Sequence, residues 1–97
     1  MSYDMSIGED WFNYTYNVSK MWYDCYKDNG IREHYGLTGK QAIPVLKRLH
    51  LHMMLNNEKL RKYEPSNGWG DFDGALNFVS QLIIASINNP ELVWEGD

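Results

Sequence analysis

The chain has 97 residues, 43% of them apolar and 14% aromatic, with a formal net charge of −4, which suits a single domain over residues 1–97 with its own core. Those aromatics exclude a disordered chain, and a lone cysteine, Cys25, excludes a disulfide scaffold. No apolar run reaches the ~18–20 residues that cross a bilayer, and the first residues lack the basic and apolar regions of a signal peptide, so a soluble, intracellular protein with no membrane partner is expected.

Residues 2–7 (Ser-Tyr-Asp-Met-Ser-Ile) alternate polar and apolar before Gly8 and predict a short strand. Residues 8–16 read as a polar and aromatic connection. Asn17 is the expected N-cap of a first helix, with Val18, Met21, Trp22 and Cys25 at i, i+3, i+4 and i+7 forming its apolar face and Asp28-Asn29-Gly30 ending it. Residues 31–36 are read as a short helical turn or a loop. Thr38 and Gln41 have capping-box spacing and start a second helix, whose core stripe is Ala42, Val45, Leu46, Leu49 and Met53. Pro44 cannot donate to the carbonyl of Lys40, so a kink or a start nearer Ile43 is expected. The helix runs to about Asn56, and Asn57 caps a further turn or the helix continues.

Glu64-Pro65-Ser66-Asn67-Gly68-Trp69-Gly70 is the clearest loop, a tight turn expected to plant Trp69 against the core. Asp71 is the natural N-cap of a third helix, with Asp73 favourable in its first turn. Phe72, Ala75, Leu76, Val79, Leu82 and Ile83 form the inward stripe. Phe78, Ile84 and Ile87 widen it beyond what one core face needs, which predicts a homo-oligomer. Asn88-Asn89-Pro90 ends this helix, and Leu92-Val93-Trp94 is a short strand that can pair with residues 2–7. The expected fold is mainly α: three principal helices with short extended segments at both termini, able to form a small two-stranded ribbon. Val18, Met21, Trp22, Cys25, Val45 and Leu46 are predicted core residues, joined by Leu49, Phe72, Leu76, Val79, Leu82 and Ile83.

Charge is unevenly spread. All nine Lys and Arg lie between Lys20 and Lys62, a stretch with net charge +5, whereas residues 1–19 carry −3 and residues 63–97 carry −6. Either the middle presents a basic surface to an anion, or the acidic ends fold back onto it. General nucleic-acid binding is disfavoured for an acidic chain.

Catalytic and metal chemistry find little support. His50 and His52, two apart on a helix, point to different faces; His34 is distant in sequence, and each is expected to be a surface or half-buried polar residue. There is no HExxH, no cysteine pair and no GxSxG. Neither catalytic residues nor a metal or cofactor is expected. Gly68-Trp69-Gly70 lacks the further residues of a phosphate loop, and Asp71 would repel a phosphate from the helix start.

Two aromatic and amide-rich stretches remain, Trp11-Phe12-Asn13-Tyr14-Thr15-Tyr16-Asn17 and Asn67-Gly68-Trp69-Gly70-Asp71. Tyr and Trp offer rigid faces with polar tips, and Asn offers both donor and acceptor. Such a set fits a pocket that stacks a planar group and reads its edge. Tyr14 and Trp69 would stack, Asn13, Asn17 and Asn67 would read the edge, and Lys47 or Arg48 would meet a charge. Thr15 and Asp71 complete the candidate set. The same aromatics can instead cover the helical core, with the amides capping backbone.

The N-Y-T-x-N-x-S-x-M stretch (Asn13 to Met21) followed by the N-G-W-G-D loop (Asn67 to Asp71) resembles small uncharacterised proteins of bacteriophages and bacteria. The resemblance implies a setting, a phage-type accessory protein in bacterial cytoplasm, and transfers no functional residue. The expected function is a non-catalytic binding protein, a phage-encoded inhibitor of host defence that sequesters a small anionic, nucleotide-like ligand. The alternatives are an inhibitor that masks a host protein surface and a minor virion protein.

Overall fold

The computed structural model describes residues 1–97. Strand β1 (Ser2–Ile7) pairs antiparallel with β2 (Asp10–Thr15), Ser2 opposite Thr15 and Ile7 opposite Asp10. A two-residue strand, β3 (Glu95–Gly96), lies antiparallel on the other edge of β1, so the order is β2-β1-β3. β1 is central, and its period-2 alternation buries Tyr3, Met5 and Ile7 on the helix-covered face. Leaving β2, the chain turns through a 3-10 segment (Tyr16–Val18) into α1 (Ser19–Tyr23). A second 3-10 segment (Gly30–His34) leads to α2 (Gly39–Leu55). After α3 (Asn57–Arg61) and the 64–70 loop comes α4 (Phe72–Asn88), which packs along α2. Nineteen buried hydrophobic residues form one cluster between the sheet and the helices.

The local signals explain most of these elements. The Thr38–Gln41 capping box is complete: Gln41 N donates to Thr38 Oγ1 at 3.2 Å and Thr38 N to Gln41 Oε1 at 3.0 Å. Further first-turn amides are used across the fold, Gly39 N to Leu92 O at 2.8 Å and Lys40 N to Pro90 O at 3.0 Å. With its start held this way, α2 begins at Gly39 and carries Pro44 inside it; the later start near Ile43 is not what forms. Asp71 caps α4 as expected, Oδ1 accepting from Gly74 N at 2.6 Å.

The fold remains mainly α, but with four helices and a three-stranded sheet in place of three helices and a ribbon. Residues 10–15 form a strand, not a connection. Aromatics on both of its faces (Trp11 outward, Phe12 and Tyr14 inward) hide the alternation that marks a strand. Thr15, not Asn17, caps the following turn, accepting from Asn17 N at 3.2 Å. The first helix stops at Tyr23, short of Asp28; Asp24, still helical in its backbone, binds His52 and Lys59 through its side chain. Asn57 is the first residue of α3, and its side chain donates to Met54 O at 2.9 Å instead of capping.

Near the C-terminus the sheet pairing falls at 95–96, not 92–94. Val93 makes an isolated bridge with Thr38, and Trp94 turns inward, its Nε1 donating to Ser86 Oγ at 2.9 Å. Of the predicted core, Cys25, Val45, Leu76 and Ile83 are only half-buried, while Ile84 and Ile87 are exposed. No helix is long and apolar enough to cross a membrane. The acidic ends do meet the basic middle: Arg61 Nη2 lies 3.0 Å from Asp73 Oδ1, and Arg32 Nε donates to the carbonyl of Asp97 at 2.9 Å.

Candidate functional site

The hairpin end and the 64–70 loop come together. Asn13, Tyr14, Thr15 and Asn17 line one side of an open groove of about 720 Å³, with Asn67, Trp69 and Gly70 on the other and Met1 and Ser2 beside them. Fifty or more residues separate the two stretches in sequence, and α4 joins them in space. Tyr14 is the contact: its ring stacks on Phe78 of α4 at 5.4 Å between centroids, and Asp71 N donates to its hydroxyl at 3.5 Å. Two glycines permit the approach. At Gly70 (φ +91°) a Cβ would come within 2.6 Å of the Thr15 methyl, and at Gly74 a Cβ would collide with the Tyr14 hydroxyl.

Each lining side chain has a definite hydrogen-bonding state. Asn13 Nδ2 donates to Asp4 Oδ1 at 2.8 Å and to Tyr3 O at 3.3 Å, which leaves its Oδ1 as a free acceptor. Asn67 Oδ1 accepts from Trp69 N at 2.9 Å, which leaves its Nδ2 as a free donor. Thr15 Oγ1 accepts from Asn17 N and keeps its own proton to donate. Because Thr15 does the capping, the exposed Asn17 amide is uncommitted at both ends. Burial pushes the Tyr14 phenol above its usual range, against the backbone hydrogen bond from Asp71 that lowers it, so this hydroxyl stays protonated at neutral pH.

Tyr14 and Trp69 divide the stacking role that sequence assigned to both. Tyr14 already spends one face on Phe78. Trp69 is 69% exposed, so it is not planted against the core as the loop predicted; its indole is the free platform of the groove. Gly68 (φ +77°) and Gly70 carry the chain through a turn that lifts Trp69 outward. Asp71 stands at the rim, with its carboxylate occupied as the α4 cap.

Arg48 is elsewhere. It sits on the α1 side of α2 with its guanidinium 5.6 Å from the Tyr26 ring centroid, and Tyr26 in turn donates to Val45 O at 2.8 Å. Neither Arg48 nor Lys47 lines the groove. The helical position that points Arg48 toward Tyr26 turns it away from the hairpin, so its assignment to the binding set is corrected. Met1, Ser2 and Gly70 are lining residues that sequence reading missed; Ser2 was findable only by reading 10–15 as a strand, since it lies opposite Thr15.

Two polar clusters lie outside the groove. Asp24 joins α1 to α2 and α3: Oδ2 is 2.7 Å from His52 Nε2 and Oδ1 is 2.7 Å from Lys59 Nζ. Hydrogen bonds from Lys59 and His52 hold its carboxyl below the usual range. No cysteine or serine completes a nucleophilic relay with this pair among the hydrogen bonds, so it reads as a tie between helices. His34, expected at the surface or half-buried, is fully buried, edge-on to Trp94 at 4.8 Å, with no partner for either ring nitrogen. Burial pulls its pKa down to about 4. The 3-10 segment delivers it inward beside Ile31, and no sequence periodicity marks so short an element.

No protein-family model, curated relative or solved structure matches this chain.

Proposed function

We propose that the protein is a non-catalytic binding protein that sequesters a small, nucleotide-like ligand in the groove between the hairpin and the 64–70 loop. One observation carries this reading: an exposed indole face and several uncommitted amide and hydroxyl groups converge on one groove from two distant segments. A ring bound there can stack on Trp69 while Asn13, Asn17 and Asn67 read its edge, and one such stacking contact contributes about 1–3 kcal/mol. The resemblance to small phage and bacterial proteins supplies the setting, an inhibitor of host defence acting by capture. A thermal-shift screen with nucleotides and cyclic dinucleotides tests it, since a ligand that binds only the native state must raise the unfolding midpoint. A midpoint unmoved by every compound at millimolar concentration defeats the proposal.

A second reading, masking of a host protein, is favoured by a different surface. Trp11, Ile84 and Ile87 are exposed, and a shallow depression of about 240 Å³ between β2 and α4 is lined by Phe12, Gln81 and Ile84. Pull-down from host lysate with wild type and with Ile84→Asp separates the two readings: a partner lost in the variant supports masking, and an identical set of partners rejects it.

A further inference from the structure

Strand β2 leaves one edge of the sheet unpaired. Tyr16 N donates to Met1 O at 3.2 Å, and antiparallel pairing alternates along the ladder, so the backbone groups of Asp10, Phe12 and Tyr14 face β1. The alternate residues of β1 turn the other way: Asp4 N donates to Asp97 Oδ1 and Asp4 O accepts from Asp97 N, each at 3.2 Å. Trp11 and Asn13 therefore point their N–H and C=O groups away from the sheet. Thr15 shares this direction, but the 64–70 loop closes on it through Gly70. A free edge is a template for another strand, and folded proteins guard it with lysine, proline or a bulge. β2 has none of these: its pairing with β1 is continuous from Asp10 to Thr15, and it contains neither Lys nor Pro.

The surroundings of the edge define the strand that fits it. A residue added opposite Phe12 faces the helices, over the depression of about 240 Å³ where Gln81 and Ile84 of α4 are exposed. Residues added opposite Trp11 and Asn13 face outward, beside the exposed Trp11 ring and beside Asp4, whose carboxylate accepts from Asn13 Nδ2 at 2.8 Å. β1, β2 and α4 contain no Lys or Arg but carry Asp4, Asp10 and Asp73, with Glu9 in the hairpin turn; of these only Asp73 is paired with a cation, Arg61. Met1 and its amino group lie at the other end of the hairpin, beside Tyr16. Such a rim attracts a basic segment and repels a second copy of itself. A cation placed over the Trp11 ring gains a further attraction.

Resting on the host-masking reading, we infer that the free edge of β2 takes an extended, basic segment of a partner protein as a fourth strand, its Lys or Arg alternating with apolar residues that seat on Phe12 and Ile84. Backbone hydrogen bonds to Trp11 and Asn13 hold the segment, and Asp4, Glu9 and Asp10 select its charge.

The probe is the peptide acetyl-Lys-Val-Lys-Ile-Lys-Val-Lys-amide, titrated into the full chain beside the same peptide with Glu in place of every Lys. The basic peptide should bind at least about tenfold tighter than the acidic one at about 50 mM sodium chloride, and the ratio should shrink at about 500 mM. In the wild-type chain, hydrogen exchange at the Trp11 and Asn13 amides should slow at least about tenfold when the basic peptide binds. Trp11→Pro removes one edge N–H and leaves the β1 ladder intact, so it should weaken the basic peptide about tenfold more than Trp11→Ala, which keeps that N–H. Binding that leaves both amides exchanging as before overturns the inference, since the peptide then docks through side chains alone. Failure of both peptides to bind overturns it as well; the masking reading still stands if Ile84→Asp loses a pull-down partner, and falls with it if the partners are identical. A mass above one chain that Trp11→Pro returns to 11.4 kDa gives the edge to a second copy instead.

Discussion

Trp69 separates stability from binding at one side chain. Its indole is 69% exposed, so Trp69→Ala should change the free energy of urea unfolding by no more than about 0.5 kcal/mol while abolishing any ligand-induced thermal shift. His34 has the opposite character, buried and without a surface role. Its pKa is about 4 in the folded chain against 6.5 in the unfolded one, so between these values the unfolded state takes up the extra proton. Its contribution is therefore fully present above pH ~6.5 and is lost as the pH falls to about 4, a change of roughly 3 kcal/mol. Urea unfolding followed from neutral pH down to about pH 4 should show this slope, and His34→Phe should flatten it. Asp24 adds sensitivity in a lower window, because its depressed carboxyl loses its stabilising charge only as the pH falls below the ordinary carboxylate value of 3.8. The candidate residues were legible at this level: Asn13, Tyr14, Thr15, Asn17, Asn67 and Trp69 are all groove residues. Arg48 was not, since a helical side chain's neighbours depend on which way its helix is turned.

The junction of β2 with α4 gives the sharpest test of how the groove is assembled. In an ordinary helix interior Gly→Ala stabilises by about 1 kcal/mol. At Gly74 the added methyl would meet the Tyr14 hydroxyl, so Gly74→Ala should instead destabilise, by about 1 kcal/mol. Placing the same change in a Tyr14→Phe background should reduce that penalty, a coupling that a double-mutant cycle in urea reads directly. If Gly74→Ala stabilises the wild-type chain, the Tyr14 hydroxyl does not approach Gly74 closely. At the other long helix, Thr38→Ala should cost about 1 kcal/mol through loss of the capping box. Both N-caps, Thr38 and Asp71, were readable because a cap is a contact between residues three apart. β2 was not, because its inward and outward positions are both aromatic and only pairing with β1 distinguishes them.

Trp94 ties the C-terminal segment to everything else. Its indole packs against His34 and Phe12, and its Nε1 bonds Ser86 of α4. Trp94→Ala should cost about 3–5 kcal/mol in chemical unfolding, more than any exposed substitution above. The exposed Ile84 and Ile87 underlie the proposal that the chain self-associates. Light scattering at micromolar concentration should then give a mass above the 11.4 kDa of one chain, and Ile84→Asp should return it to that value. The sequence by itself determined the starts of α2 and α4, the 64–70 loop, the alternation of β1 and the identity of the aromatic and amide residues, because each depends on neighbours a few positions away. Only the tertiary structure decided that 13–17 and 67–70 share a groove, that Trp69 faces out while Trp94 and His34 face in, and that Arg48 lies away from the site. Those outcomes are set by how α4 packs against the hairpin, a contact between segments more than fifty residues apart that no local pattern encodes.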